Sequence, residues 1–298
     1  MARKRDIIIG IIIAGSFLIT IGFFGLMFIG LMAEGGDISF GGFGTRIAVI
    51  EVFGSITESE SVVRQLKKWG ESGSVRAIVL HIDSPGGGVA PSQEIYNEIL
   101  RVRSEDEKLV VASMSSVAAS GGYLIACACD RIMANPGTIT GSIGVILQFP
   151  TLGELFDKVG IAYETVKSGE LKDVGSMDRR MTAEERRMLT AMVRDTYEQF
   201  VEIVAEGREM DIDYVRRYAD GSIFSGRQAL EIGLIDTLGG FEDAVRMAGE
   251  MAGIEGEPET IREIKPPRGF WDILGGVSKE IENIASGEGR GPKVMYLY

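Results

Sequence analysis

The stretch VRAIVLHIDSPGGG, residues 75–88, has the clearest pattern for a fold class in this chain. Its first part, Val75–Ile82, is an apolar, β-branched run that is typical of a strand buried on both faces. The segment Asp83-Ser84-Pro85-Gly86-Gly87-Gly88 ends this strand, and apolar residues at helical spacing follow in 92–102. A strand, a glycine turn and a helix in this order are typical of the units that build a parallel sheet.

The same alternation continues on both sides of this stretch. Further strands are predicted at 46–52, 109–113, 131–134 and 142–146, and further helices at 59–69, 120–129, 152–159, 182–208 and 241–252. Thr182 opens the longest of these helices and Glu185 follows three residues later, which is the pattern of a capping box. Strands that alternate with helices predict an α/β fold with a mainly parallel sheet.

Composition excludes several classes of protein. The 298 residues are enough for one or two domains, and 45% apolar residues allow a sizeable core. The net charge of −12 argues against general nucleic-acid binding, which needs clustered cations. One histidine and two cysteines argue against a His-rich metal site or a disulfide scaffold. Cys127 and Cys129 are too close in a predicted helix for either role, so we expect buried small side chains.

The N-terminus is predicted to anchor the chain in a membrane. Residues 7–33 carry no charge, and a helix of that length reaches roughly 40 Å, enough to cross a hydrocarbon core of roughly 30 Å. The alternative is a cleaved signal peptide, but Gly30-Leu31-Met32-Ala33 is a poor cleavage site. Three basic residues precede the run and acidic residues follow it, so the positive-inside rule leaves the N-terminus in the cytoplasm and the remaining chain outside.

The sequence therefore divides into five expected segments. They are a cytoplasmic N-terminus (1–6), a transmembrane helix (7–33), a Gly-rich tether (34–45), a folded domain (46–253) and a Gly-, Pro- and charge-rich tail (254–298).

Two glycine-containing segments suit the binding of a reacting group. The glycines of 83–88 could turn backbone N–H groups toward a ligand, or could form an ordinary turn between a strand and a helix. In 118–123, Ser120 could present its hydroxyl beside the N–H of Gly121, as an oxyanion hole for acyl transfer needs. The alternative for Ser120 is an ordinary helix N-cap.

A serine nucleophile needs a base, and two residue types are available. His81 is the only histidine, and its place in a predicted strand favours a core or cleft-edge side chain. Lys172, in the segment 168–173, is either an inert solvated lysine or the base of a Ser–Lys pair. In that second role the lysine has to be neutral, and burial favours the neutral form.

Five segments in register resemble one protein family. They are Asp-Ser-Pro-Gly-Gly-Gly (83–88), Ser-Val-Ala-Ala-Ser-Gly-Gly-Tyr (116–123), Thr-Gly-Ser-Ile-Gly-Val (140–145), Ser-Gly-x-x-Lys-Asp (168–173) and Ala-Asp-Gly-Ser-Ile-Phe-Ser-Gly-Arg-Gln-Ala-Leu (219–230). Together with the predicted anchor they resemble signal peptide peptidase A, a family of membrane-bound Ser–Lys proteases that clear cleaved signal peptides. The resemblance spans about 46–253 and implies a Clp/crotonase-like ββα superhelix in its short, single-repeat form.

The resemblance also implies roles for individual residues. Ser120 would be the nucleophile and Lys172 the general base. The backbone N–H groups of Gly87 and Gly121 would form the oxyanion hole, and Ser142 would orient the lysine. The implied substrates are signal peptides and similar extended apolar peptides, without a metal or cofactor. The single repeat further suggests a ring-shaped homo-oligomer in the cell membrane, in which the lysine of one subunit meets the serine of the next.

Three alternatives remain open from the sequence. The first is a related membrane Ser–Lys protease that acts on stomatin-like or other membrane proteins. The second is an acyl-CoA enzyme of the crotonase fold, which would need a CoA pocket and acid–base carboxylates instead of a Ser–Lys pair. The third is a membrane scaffold without catalytic activity.

Overall fold

The structure, a computed structural model, describes residues Thr20, Gly22 and 46–263, together with the backbone of 295–296. The expected cytoplasmic N-terminus, the tether and most of the expected transmembrane helix and tail lie outside these residues. Within the described part of the chain, no helix combines the length and the apolar character needed to cross a bilayer. Contacts divide the chain into two units, 1–42 and 43–298, and the second unit carries the elements described below.

The second unit has a mixed α/β fold. Its elements in chain order are β1 (Arg46–Phe53), α1 (Glu60–Gly70), β2 (Val75–Ser84), β3 (Gly87–Gly88), α2 (Val89–Ser104), β4 (Leu109–Ala119), α3 (Gly121–Ala126), β5 (Arg131–Ala134), β6 (Ile139–Gly141), α4 (Gly153–Val159), α5 (Ala183–Gly207), α6 (Ile212–Arg216), β7 (Ile223–Ser225), α7 (Gly226–Glu231), β8 (Thr237–Leu238), α8 (Phe241–Met251), β9 (Glu259–Arg262) and β10 (Met295–Tyr296).

A mainly parallel sheet forms the centre of this unit. Its strands lie in the order β7-β6-β4-β2-β1-β9, and β5 pairs with both β4 and β8. The three central strands are parallel, with Ile50 opposite Leu80 and Leu80 opposite Ala112. Only the pairing of β6 with β7 is antiparallel among the described strands of this sheet. The predicted α/β fold class is therefore confirmed.

Alternate residues of the central strands face two different cores, because successive side chains of a strand point to opposite faces. The larger core packs one face against α1, α2 and α3, and its strand residues include Ala48, Ile50, Ile78, Leu80 and Ile82. The smaller core packs the other face against α8, and its strand residues include Ile47, Ala77, Val79 and Val111. Helices on both faces explain why these strands are apolar at nearly every position.

The predicted strand at 142–146 is wrong, and backbone geometry explains the error. The strand lies three residues earlier, as β6, and it ends at Gly141 with φ of 80°. Ser142 follows with φ of 50°, so the chain leaves the extended conformation there. β4 also continues to Ala119, beyond its predicted end at residue 113, because its second half pairs with β6.

Two strands lie within the expected tail, 254–298. β9 adds to the sheet, parallel to β1. β10 pairs antiparallel with β3, with Met295 opposite Gly88 and Tyr296 opposite Gly87. The backbone of β3 therefore has a neighbour in the last residues of the chain.

Cys127 and Cys129 are free and buried, as predicted. Burial raises the pKa of the Cys127 thiol to about 12. Because the thiolate is the reactive form, this cysteine is an inert core residue.

Candidate active site around Ser120

Ser120 lies at a strained turn between β4 and the buried helix α3. Its φ is 54° and its ψ is −120°. A residue with a side chain in such a conformation is strained by about 1–3 kcal/mol, and such residues cluster at functional sites. Two backbone hydrogen bonds hold the turn: the Ser120 N–H donates to the Gly141 carbonyl at 2.8 Å, and the Leu124 N–H donates to the Ser120 carbonyl at 2.9 Å.

The hydroxyl of Ser120 does not cap the helix that follows it. Ser120 occupies the N-cap position of α3, but its side chain makes no capping hydrogen bond. The residue is fully buried, and its Oγ has no hydrogen-bond partner among the described residues. An unpaired buried hydroxyl costs about 1–3 kcal/mol, so each one requires an explanation. The simple N-cap alternative is therefore excluded, and the hydroxyl is available for chemistry.

One edge of the glycine strand β3 carries the N–H and C=O groups of Gly87, and the opposite edge pairs with Ile56. The Ile56 N–H donates to the Gly86 carbonyl at 2.9 Å, and the Gly88 N–H donates to the Ile56 carbonyl at 2.7 Å. In a parallel pairing of this kind, the residue between the two bonded ones turns its own N–H and C=O to the opposite edge. That edge faces β10. Gly87 can therefore bond to an extended segment that runs antiparallel to it.

Close packing brings the two expected oxyanion donors together. A Cβ on Gly121 would lie 3.4 Å from the Gly87 nitrogen, so these two backbones are in near contact. The N–H of Gly121 belongs to the first turn of α3, where the helix itself supplies no acceptor. Two backbone N–H groups close to a reacting serine are the groups that form an oxyanion hole.

Ser142 lies one residue from the carbonyl that binds the Ser120 N–H. It is buried, and its own N–H donates to the Ser222 carbonyl at 2.8 Å. Ser142 therefore directly follows the residue that holds the Ser120 turn.

Lys172 has a different environment from Ser120 within the described subunit. It is exposed, in a turn where its N–H donates to the Gly169 carbonyl at 3.1 Å. Since the Ser120 Oγ has no partner among the described residues, the lysine makes no hydrogen bond to the serine in this subunit. The role of Lys172 as general base stays a prediction.

An ionic network fixes the segment that carries Lys172. Asp173 pairs with Lys167 at 2.7 Å and with Arg179 at 2.9 Å. Arg179 also binds the buried Glu185 with two nitrogens, and Glu185 accepts the Thr182 N–H in the predicted capping box. Arg179, with Lys167, lowers the pKa of Asp173 to about 2, and Arg179, with the Thr182 N–H, lowers that of Glu185 to about 2. The network ties the lysine turn to the start of α5.

His81 lies on the opposite face of β2 from the site. Its ring packs between Phe53 and Phe241, at centroid distances of 5.1 and 4.7 Å. The next residue, Ile82, points to the face that carries α3, where a Cβ on Gly122 would lie 3.6 Å from it. Burial is the main cause that lowers the pKa of His81. Because neighbouring strand residues point to opposite faces, His81 is not a base for Ser120.

Three contributors to the site were not singled out from the sequence. Ile56 holds β3 through backbone atoms alone, and no residue type signals such a pairing. Gly141 supplies the carbonyl for Ser120 and lies inside the quoted segment 140–145, but its role depends on the register of β6. The sequence shows that Arg179 is charged, but it does not show the ion pairs with Asp173 and Glu185, because these depend on the turn between them.

Comparisons with known proteins find similarity to peptidases. Residues 103–255 match the model of peptidase family S49, and residues 45–138 match that of Clp protease. A protein of Synechocystis sp. with the name "Putative protease" is 44% identical over 246 residues, which cover 82% of this chain and 88% of that protein. The serine protease SPPA of Arabidopsis thaliana chloroplasts is 34% identical over 252 residues, 79% of this chain and 37% of that protein. Protease 4 of Haemophilus influenzae is 33% identical over 215 residues, 69% and 35% of the two chains.

Replacing Gly87 with alanine should slow the reaction of Ser120 with a serine-directed phosphonate by at least about 100-fold, the effect of losing one oxyanion donor. A Cβ at this position would lie 2.2 Å from the Ile56 carbonyl oxygen, so β3 would have to move. The measurement is the labelling rate by intact-protein mass spectrometry. Gly73→Ala is the matched control, because a Cβ there meets nothing within 4 Å. Equal labelling rates in both variants would contradict a role for β3.

Arg179→Met should lower the thermal stability and change its pH dependence. The folded pKa values of Asp173 and Glu185, about 2, lie below the ordinary carboxyl values, so the network stabilises the fold at neutral pH. This contribution is lost as the pH falls from about 4 to about 2. The variant should therefore have a lower Tm at neutral pH and a smaller drop across that acid range. The control is Arg180→Met, whose side chain is 88% exposed; an identical acid profile for both variants would disprove the network.

Proposed function

The chain belongs to peptidase family S49, and from this premise we propose that it is a membrane-anchored serine endopeptidase with a Ser–Lys dyad. The observation that supports this most is Ser120 itself: its backbone is strained, and its buried hydroxyl has no partner among the described residues. The next residue, Gly121, is in near contact with the backbone of Gly87. A buried hydroxyl without a partner is costly to keep, and a nucleophile accounts for it.

In the proposed reaction, the Ser120 Oγ attacks the carbonyl carbon of the scissile peptide bond. The neutral Lys172 amine takes the hydroxyl proton and later gives it to the leaving amine. The N–H groups of Gly87 and Gly121 hold the negative oxygen of the tetrahedral intermediate. Water then hydrolyses the acyl-enzyme by the same route. Ser142, one residue from the carbonyl that binds Ser120, is the proposed hydroxyl that orients the lysine.

We propose extended apolar peptides, such as released signal peptides, as substrates. The support is the edge of β3 on which β10 pairs antiparallel with Gly87 and Gly88, which shows that this edge accepts an extended segment. A peptide that adds to this edge as a strand would gain backbone hydrogen bonds whatever its sequence. One relative, from Enterococcus faecium, is named as a signal peptide peptidase SppA and is 40% identical over 186 residues.

We further propose that the dyad is shared between subunits of a ring. Lys172 is exposed, and the segment before it leaves apolar side chains in solvent. Helix α4 has no buried residue, and Val166 is 97% exposed. Exposed apolar side chains so concentrated mark an interaction surface, and they include Leu155, Val159, Ile161 and Tyr163. A second copy that covers this surface would bring Lys172 to the neighbour's Ser120 and remove water from it.

The remaining parts of the proposal concern location and arrangement. The uncharged run 7–33 is the proposed single transmembrane helix, with the N-terminus in the cytoplasm and the catalytic domain, 46–253, outside. The match to Clp protease over 45–138 supports the ββα superhelix as the arrangement of that domain.

Ser120→Ala and Lys172→Ala should each abolish peptidase activity without unfolding the protein. Residues that act as a unit lose nearly all activity singly, so the double variant should be no worse than either. The measurement is kcat/KM on a panel of signal peptides, with folding checked by circular dichroism. Matched controls are Ser116→Ala and Lys67→Ala, which change exposed residues of the same types. Near-normal turnover by Lys172→Ala would refute the dyad.

Inactive Ser120→Ala and Lys172→Ala chains, unfolded together and reassembled, should regain partial activity. In a mixed ring, some interfaces would pair an intact serine with an intact lysine, whereas neither chain alone could supply both. The measurement is peptide cleavage by rings shown by native mass spectrometry to contain both chains. If such rings remain inactive, the dyad forms within one subunit.

A further inference from the structure

We propose that Ser92 is a positioning residue that sets the spacing between the two oxyanion donors, a role that rests on the function proposed above. Ser92 lies in the first turn of α2 and is fully buried. Its hydroxyl donates to the Gly88 carbonyl at 2.8 Å. Gly88 follows Gly87 directly, so this bond holds the end of the glycine strand.

The same hydroxyl also packs against the start of α3. A Cβ on Gly121 would lie 2.6 Å from the Ser92 Oγ, closer than any real contact of that kind. The Oγ therefore fills the space that a side chain on Gly121 would occupy. One atom thus contacts both backbone elements that carry the donors, β3 through Gly88 and α3 through Gly121.

The donors belong to different elements, so the distance between them depends on what separates those elements. Hydrogen bonds to Ile56 hold the residues on either side of Gly87, and a hydrogen bond to Gly141 holds Ser120. The Ser92 Oγ lies between the two elements as a spacer of one atom. Its hydrogen bond to the Gly88 carbonyl fixes the direction of the Ser92 side chain. An oxyanion hole works only when both N–H groups reach the same oxygen, about 2.7–3.1 Å away. A change of one atom at Ser92 should disturb this geometry while the peptide-binding edge of β3 remains.

Ser104 provides a matched comparison on the same helix. Its hydroxyl makes the same kind of bond, to the carbonyl four residues earlier, Leu100, also at 2.8 Å. Ser104 is exposed at the other end of α2, far along the helix from the glycines. A role in the helix alone would make the two serines equivalent, whereas the proposed role makes only Ser92 matter for the reaction.

The first experiment measures kcat and KM on signal peptides for wild-type protein, Ser92→Ala and Ser104→Ala. We expect Ser92→Ala to lower kcat about 10-fold, a smaller loss than the about 100-fold expected when an oxyanion donor is removed entirely. KM should stay within about twofold of the wild-type value. A peptide boronate, which forms a tetrahedral adduct on Ser120, should lose affinity by the same factor as kcat/KM. Ser104→Ala should match wild type in all three quantities. Wild-type kcat in Ser92→Ala would overturn the proposal.

The second experiment tests the contact itself by compensation. Gly121→Ala alone should lose most activity, because its Cβ collides with the Ser92 Oγ. The next atoms that this Cβ would meet belong to Gly86 and Gly87, both at an ordinary van der Waals distance of 3.4 Å. The double variant Ser92→Ala/Gly121→Ala removes the collision, so it should be at least about 5-fold more active than Gly121→Ala. A double variant no better than Gly121→Ala would overturn the proposal.

Two controls keep these outcomes interpretable. If Ser92→Ala does not fold, Ser92→Cys, which keeps a side chain of similar size with a longer bond and a weaker donor, should show the same selective loss of kcat and boronate affinity. If wild-type protein cleaves no peptide, the proposed function fails. If wild type is active and Ser120→Ala is not, but the Ser92 variants match wild type, only the positioning role fails.

Discussion

The hydrogen bond from the Ser120 N–H to the Gly141 carbonyl, 2.8 Å long, is the constraint on which the site depends. It holds a serine in a backbone conformation that costs about 1–3 kcal/mol, and the surrounding sheet supplies that energy. It also fixes where β6 ends beside β4, because the last pair of that ladder is Ala119 with Gly141. Ser142 follows at once, so its position beside the serine is a consequence of the same bond.

Close backbone packing is the second requirement, and it explains why glycines line the site. At Gly87, a side chain has no space because the Ile56 backbone is in contact. At Gly121, the Ser92 hydroxyl takes that space. Helix α3 is buried along its whole length, so its first turn cannot move outward to relieve either contact. The proposed oxyanion donors are therefore held by rigid elements, which would favour electrostatic stabilisation without reorganisation.

The sequence was sufficient for what depends on periodicity and local chemistry. The apolar runs of β1 and β2 and the capping box at Thr182 appear where their patterns predicted. The motifs 83–88 and 118–123 also meet in space, as the resemblance implied. The position of β6 was not predictable, because the positive φ of Ser142 has no signature in a serine. The pairing of Ile56 with the glycine strand was also hidden, since it uses backbone atoms that every residue has.

Ser120 and Lys172, the two residues of the proposed dyad, differ in their exposure to solvent. Ser120 is fully buried, whereas Lys172 is exposed within the described subunit. The proposed base has to act as a neutral amine to accept the serine proton. Removal of water around a lysine favours its neutral form over the charged ammonium. On the proposed shared dyad, the neighbouring subunit therefore supplies both the serine and the desolvation. Because Lys172 of an isolated subunit would meet neither a serine nor a desolvating surface, activity would be coupled to assembly, and an unassembled protease would not attack other proteins.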